Sequence, residues 1–114
     1  MSARRLPTHV EVASILRRAA ASGDFGVVMR KGDEERGTLL IIVSSRGRHV
    51  ACLERVLSAR GEYEWQAVGP AESASSRQIG EFLAKRARFD DDFWAIELDI
   101  ADPERFIAET TSSP

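Results

Sequence analysis

The sequence predicts an α+β domain built on a five-stranded mixed or antiparallel sheet, with elements in the order α-β-β-β-β-α-β-α. Three observations predict it. Two stretches, about 8–22 and from the serines at 73–76 to about Arg88, carry apolar residues at helical spacing on one stripe only. Amphipathic helices of that kind pack on a sheet from outside. Between them, short apolar or alternating runs are separated by glycine-bearing turns, the pattern of successive strands. One of those runs, Leu39-Leu40-Ile41-Ile42-Val43, is apolar on both faces, as is a central strand covered from both sides.

Each element has its own signal. Thr8 with Glu11 three residues on reads as a capping box, and Val12, Ile15, Leu16, Ala19 and Ala20 form the apolar stripe that follows. Gly23 closes this helix. Phe25 to Arg30, Thr38 to Ser45, His49 to Leu57 and Glu62 to Val68 read as strands. The last alternates, with Tyr63, Trp65 and Ala67 opposite Glu62, Glu64 and Gln66. Short turns join antiparallel neighbours, so 25–68 is expected to be a four-stranded meander. Ser73, Ser75 and Ser76 are candidate N-caps for the second helix, whose stripe is Ile79, Phe82, Leu83 and Ala87. Gly80 inside it costs about 1 kcal/mol relative to Ala and is read as a mark of close packing. Phe93 to Ile100 is the fifth strand, with Trp94, Ile96 and Leu98 on one face and Phe93, Ala95, Glu97 and Asp99 on the other. Asp102-Pro103 starts a short last helix. Residues 1–109 are expected to form one domain and 110–114 a frayed tail.

Composition narrows the function classes. The chain has 114 residues, 43% hydrophobic and 30% charged, with a net charge of −2, ordinary for a globular protein. Residues 1–60 carry +5 and 61–114 carry −7, an asymmetry expected to cancel within one domain. The longest apolar run is far short of a bilayer span, so no membrane partner is expected. Met1-Ser2-Ala3-Arg4-Arg5 leads to Pro7 with no apolar region, so a signal peptide is not indicated. The single Cys52 makes neither an internal disulfide nor a thiolate metal site. It lies within a strand, three residues from His49, and the two are expected on opposite faces.

Three segments resemble a small alphaproteobacterial family of unknown function of about this whole length. They are Arg5-Leu6-Pro7-Thr8-His9, the turn Arg30-Lys31-Gly32-Asp33, and the closing run from Arg86-Ala87-Arg88-Phe89 through Asp90-Asp91-Asp92-Phe93-Trp94 to Asp99. The resemblance implies a cytoplasmic bacterial protein standing alone as one domain. It carries over no catalytic residue.

The chemistry-bearing residues support binding rather than catalysis. Asp90, Asp91, Asp92, Glu97, Asp99, Asp102 and Glu104 are concentrated near the C-terminus, but they lack the spacing of a Ca²⁺ loop. Glu97 and Asp99 are expected to pair with an arginine of a neighbouring strand. The glycine turns join strand to strand, so no helix N-terminus is available for phosphate. No cofactor, no metal and no catalytic residue is expected. The favoured reading is a non-enzymatic interaction module whose partner is a protein or a second copy, as a homodimer. The lightly guarded 62–68 strand, carrying Tyr63 and Trp65, is its expected edge. The alternative is a small ligand-binding or enzymatic domain using Arg30, Glu97 and Asp99. Nucleic-acid binding through a basic rim of Arg30, Lys31, Arg46 and Arg48 is the least favoured.

Overall fold

The structure, a computed structural model, describes residues 6–111. Helix α1 spans Thr8–Ala21, β1 Phe25–Arg30, β2 Leu39–Ser45, β3 Arg48–Leu57 and β4 Tyr63–Val68. Helix α2 spans Ser76–Phe89, β5 Trp94–Asp99 and α3 Pro103–Thr111. The element order is the expected one. The readings made on Met1 to Arg5 and on 112–114 lie outside the described residues, and α3 takes in Thr110 and Thr111.

The sheet is mixed, in the order β1-β5-β2-β3-β4. This corrects the meander. β2, β3 and β4 are consecutive antiparallel neighbours, but β5 inserts between β1 and β2. It runs antiparallel to β1 and parallel to β2. The reason lies in the connection 31–38, which is long enough to step over one strand position, roughly 10 Å. That connection is also anchored elsewhere: Asp33 N–H donates to the Asp92 carbonyl (2.9 Å), next to the start of β5.

Alternation along the strands builds two cores. Leu39, Ile41, Val43, Leu53, Trp94, Ile96 and Leu98 face α1 and α3, with Val12, Ala19, Phe106 and Ile107 packed on them. Leu40, Ile42, Cys52, Phe93 and Ala95 face α2 and meet Ile79, Phe82, Leu83 and Ala87. β2 is buried along both faces, as its composition requires. Among the described residues no helix is long and apolar enough to cross a membrane.

Two local expectations change, and the choice among the candidate caps of α2 is resolved. Thr8 is not the N-cap of α1; Pro7 is, without a side-chain cap. Thr8 is fully buried and its hydroxyl donates to the Gly37 carbonyl (2.8 Å). The first helical N–H groups are satisfied from outside, Thr8 by the Glu35 carbonyl and His9 by the Glu34 carbonyl. The cap of α2 is the Ser75–Gln78 box. Gly80 meets open space, so its place in α2 does not reflect close packing.

Close approach does operate at Gly32 and Gly37, where an added Cβ would run into the Asp92 carbonyl. Gly32→Ala is therefore expected to cost about 1–3 kcal/mol, as overpacking against fixed backbone does. Thermal denaturation checks it, with Gly80→Ala as the contrasting variant, since that site is open and helical and gains about 1 kcal/mol.

Candidate functional site

The charged residues singled out in the sequence share a face of the sheet but do not converge. Arg30 lies opposite Ala95, and Val27 and Phe25 lie opposite Glu97 and Asp99. Each charge is engaged locally. Arg30 stacks over the Phe93 ring, 4.7 Å from its centre, and donates to the Asp91 carbonyl (2.8 Å). Glu97 accepts a hydrogen bond from the Ser44 hydroxyl (2.7 Å). Asp99 accepts from the backbone N–H groups of Arg46 and Gly47, 2.9 Å each, and so clamps the β2–β3 turn. Neither carboxylate takes the arginine partner expected of it. The basic rim is not assembled either. Arg30 and Lys31 lie at one end of the sheet and Arg46 and Arg48 at the other, while Lys31 pairs with Glu34 and Arg48 with Glu72.

Tyr63 and Trp65 do meet, through a residue the sequence reading passed over. Arg55 on β3 faces α1, is nine-tenths buried and forms an ion pair with Glu11. Its guanidinium lies 5.3 Å from the centre of the Tyr63 ring and 5.8 Å from that of Trp65. Trp65 also packs against the α1–α3 core. The signal was present: Arg55 falls on the same face as Leu53 in an apolar strand. Its partner lies on another element, 44 residues away, beyond any local pattern.

The α2 face holds the single thiol. A β-bulge lies between the Val43–Ala51 and Ser44–His49 pairs, so residue 50 is extra. It returns His49 to the α2 side, which corrects the expectation that His49 and Cys52 point opposite ways. The imidazole does not engage the thiol: His49 Nε2 is placed 3.3 Å from the Pro70 carbonyl, and its buried Nδ1 has no hydrogen-bond partner among the described residues. Burial pushes the Cys52 thiol up to about 12, and Glu54 acts in the same direction. A thiol so held is inert. Nearby, Arg86 pairs with Glu54, and that hydrogen bond raises its already high proton affinity. Asp90, Asp91 and Asp92 offer oxygen atoms within 4.8 Å of one another, with Asp90 already accepting from the Asp92 N–H.

Two surface features remain. Between α1 and α3 lies a cleft of about 300 Å³, floored by Ile41 and Leu98 and flanked by Ile15, Trp65 and Phe106. The second is the outer edge of β1. Phe25, Val27, Val28 and Met29 are 66%, 43%, 39% and 46% exposed. Phe25 and Val27 lie on the α2 side of the sheet, past the residues that α2 covers. Gly26 lies on the other side, where an added Cβ would stand 2.7 Å from Leu16, so α1 sits close over that face. β4 is the opposite edge, as expected, but its aromatic face is occupied by Arg55 and the core.

Fold and surface together define a three-helix α+β domain with an open, apolar sheet edge. The chain belongs to a family of proteins of unknown function, DUF1491, whose model matches residues 6–108. It is similar to the crystal structure of a DUF1491 family protein from Caulobacter crescentus, at 29% identity over 90% of this chain and 94% of that one, with a TM-score of 0.75. An NMR structure of a DUF1491 family protein from the same organism matches at 28% identity over 98% and 97%, TM-score 0.75. A solution structure from A. tumefaciens matches at 25% identity over 84% and 86%, TM-score 0.70. No curated protein matches the chain.

Proposed function

We propose that this protein is a non-enzymatic, cytoplasmic interaction module that binds a protein partner by adding a strand to the free edge of β1. The observation that carries the reading is the run of exposed apolar side chains Phe25, Val27, Val28 and Met29 on an edge with no neighbouring strand among the described residues. Soluble proteins guard such edges with lysine, proline, inward-pointing charge or a bulge; residues 25–29 contain none of the first three, and the one bulge lies at the end of the run, at Met29. Strand addition draws affinity from the backbone and specificity from alternate side chains, and β1 offers both.

Panning a display library of extended heptapeptides tests this. Alternating apolar sequences are expected to be enriched, and binding is expected to be lost in Val27→Lys while its circular dichroism and melting temperature stay unchanged. Enrichment that survives Val27→Lys, or no enrichment at all, overturns the reading. The α1–α3 cleft favours a second reading, a small-ligand domain. Arg18 on its wall has no ion-pair or hydrogen-bond partner for its side chain among the described residues.

A further inference from the structure

We propose that the cleft between α1 and α3 binds a free α-amino acid with an apolar side chain, the side chain on the cleft floor and the charged head at its mouth. This rests on the second reading above, the cleft as a small-ligand site, and names the ligand class.

The cleft reaches the core. Ile41, Leu98 and Ile100 line it and are 2%, 0% and 5% exposed, so they form its floor, with Trp65 and Phe106 on its flanks. Close-packed interiors keep few voids larger than a water molecule, whereas this space is about 300 Å³. A water takes ~30 Å³ in the liquid, and bonded atoms pack closer than that, so roughly a dozen non-hydrogen atoms fit. The cleft stands at the lower end of small-molecule sites, ~300–1,000 Å³. Its size suits one amino acid, and its floor suits an apolar side chain.

The mouth carries both signs of charge. Arg18 comes from the last turn of α1, Asp24 from the turn after it and Glu109 from the last turn of α3. All three are exposed or half-buried, so they stand at the opening. Arg18 has no side-chain partner among the described residues, and a free guanidinium takes a carboxylate through two parallel hydrogen bonds. Glu109 is answered by Arg105 at 3.1 Å. Asp24 is answered by no cation among the described residues; its Oδ1 accepts from the Ala101 N–H (3.0 Å), which leaves Oδ2. The C-terminal ends of α1 and α3 add partial negative charge there. A lone anion on Arg18 would face Asp24 and two helix ends of the wrong sign. A lone cation on Asp24 would face Arg18. A zwitterion answers both, with its carboxylate on Arg18 and its ammonium on Asp24.

Chemical-shift mapping on the isotope-labelled full chain tests the proposal with four probes. They are L-phenylalanine, hydrocinnamate without the ammonium, phenethylamine without the carboxylate, and uncharged toluene. Phenylalanine is expected to shift the Ile15, Leu98 and Phe106 resonances saturably. It is expected to bind about tenfold more tightly than either singly charged analogue, the worth of one hydrogen bond to a charged group. Arg18→Gln is expected to weaken phenylalanine to about the level of phenethylamine. Asp24→Asn, which keeps an oxygen for the Ala101 N–H, is expected to weaken it to about the level of hydrocinnamate. Both variants are expected to keep the wild-type spectrum away from the cleft. An analogue that binds as tightly as phenylalanine, or phenylalanine binding unchanged in either variant, overturns the amino-acid assignment. Toluene shifts at the cleft without phenylalanine shifts overturn it too, and leave the cleft a small-ligand site. Shifts from none of the four overturn the proposal and the cleft reading together.

Discussion

Glu11→Ala is expected to destabilise the protein by about 3–5 kcal/mol, because it leaves a buried guanidinium without its counter-charge. The Arg55 side chain is 7% exposed and that of Glu11 18%, so water does little to screen the loss. Arg55 lies between β3 and α1, with the Tyr63 and Trp65 rings beside it. Urea denaturation checks the size of the effect. Glu11→Gln keeps an acceptor for Arg55 and is expected to fall between Ala and wild type. The double variant Glu11→Leu, Arg55→Met is expected to recover most of the stability, since apolar replacement of both partners removes the desolvation cost as well as the attraction. If the double variant is as unstable as Glu11→Ala, the cost lies in packing and not in an orphaned charge.

Ile41→Ala is expected to cost about 2–5 kcal/mol, the range for deleting a buried aliphatic side chain. Ile41 is 2% exposed and lies at the middle of the central strand. It faces Leu53 on one neighbour and Ile96 on the other, so the hole it leaves is walled by strands that cannot close in without breaking their ladders. The same truncation at Val28, on the edge and 39% exposed, is expected to cost far less. A denaturant midpoint for Ile41→Ala equal to that of wild type would remove β2 from the core.

The elements were legible because their signals are local. Helical spacing in Val12, Ile15, Leu16 and Ala19 and alternation in Trp94, Ile96 and Leu98 translate directly into faces. The double apolar character of 39–43 predicts a covered central strand, and the structure bears that out. What escaped depends on distant partners. Two neighbours are required of a central strand, but its composition does not say which, so β5 and β1 were interchangeable until the 31–38 connection docked on Asp92. Thr8 and Glu11 match a capping box, yet Arg55 claims Glu11 and the Gly37 carbonyl claims Thr8. His49 shares a face with Cys52, against what their spacing predicts, because one bulged residue reverses the parity of everything beyond it. The candidate site was obscured for another reason. Phe25 to Met29 is as apolar as a buried strand, and only sheet order shows that one side of it faces solvent.

The position of β5 also sets the order in which the molecule can be assembled. The chain emerges from the N-terminus, so β1 through β4 exist well before residues 94–99 do. In that interval β1 has no ladder partner of its own, and β2 can pair only with β3, leaving its apolar row unpaired on the other side. The antiparallel pairs β2–β3 and β3–β4 close over short turns. The parallel β2–β5 pair joins Leu39 to Trp94, and its loop-closure entropy must be met before its contacts form. Completion of the sheet therefore waits on the last strand. Until it arrives, a nascent chain exposes Leu39 to Val43 together with Phe25 to Met29, the interval in which such edges are open to aggregation.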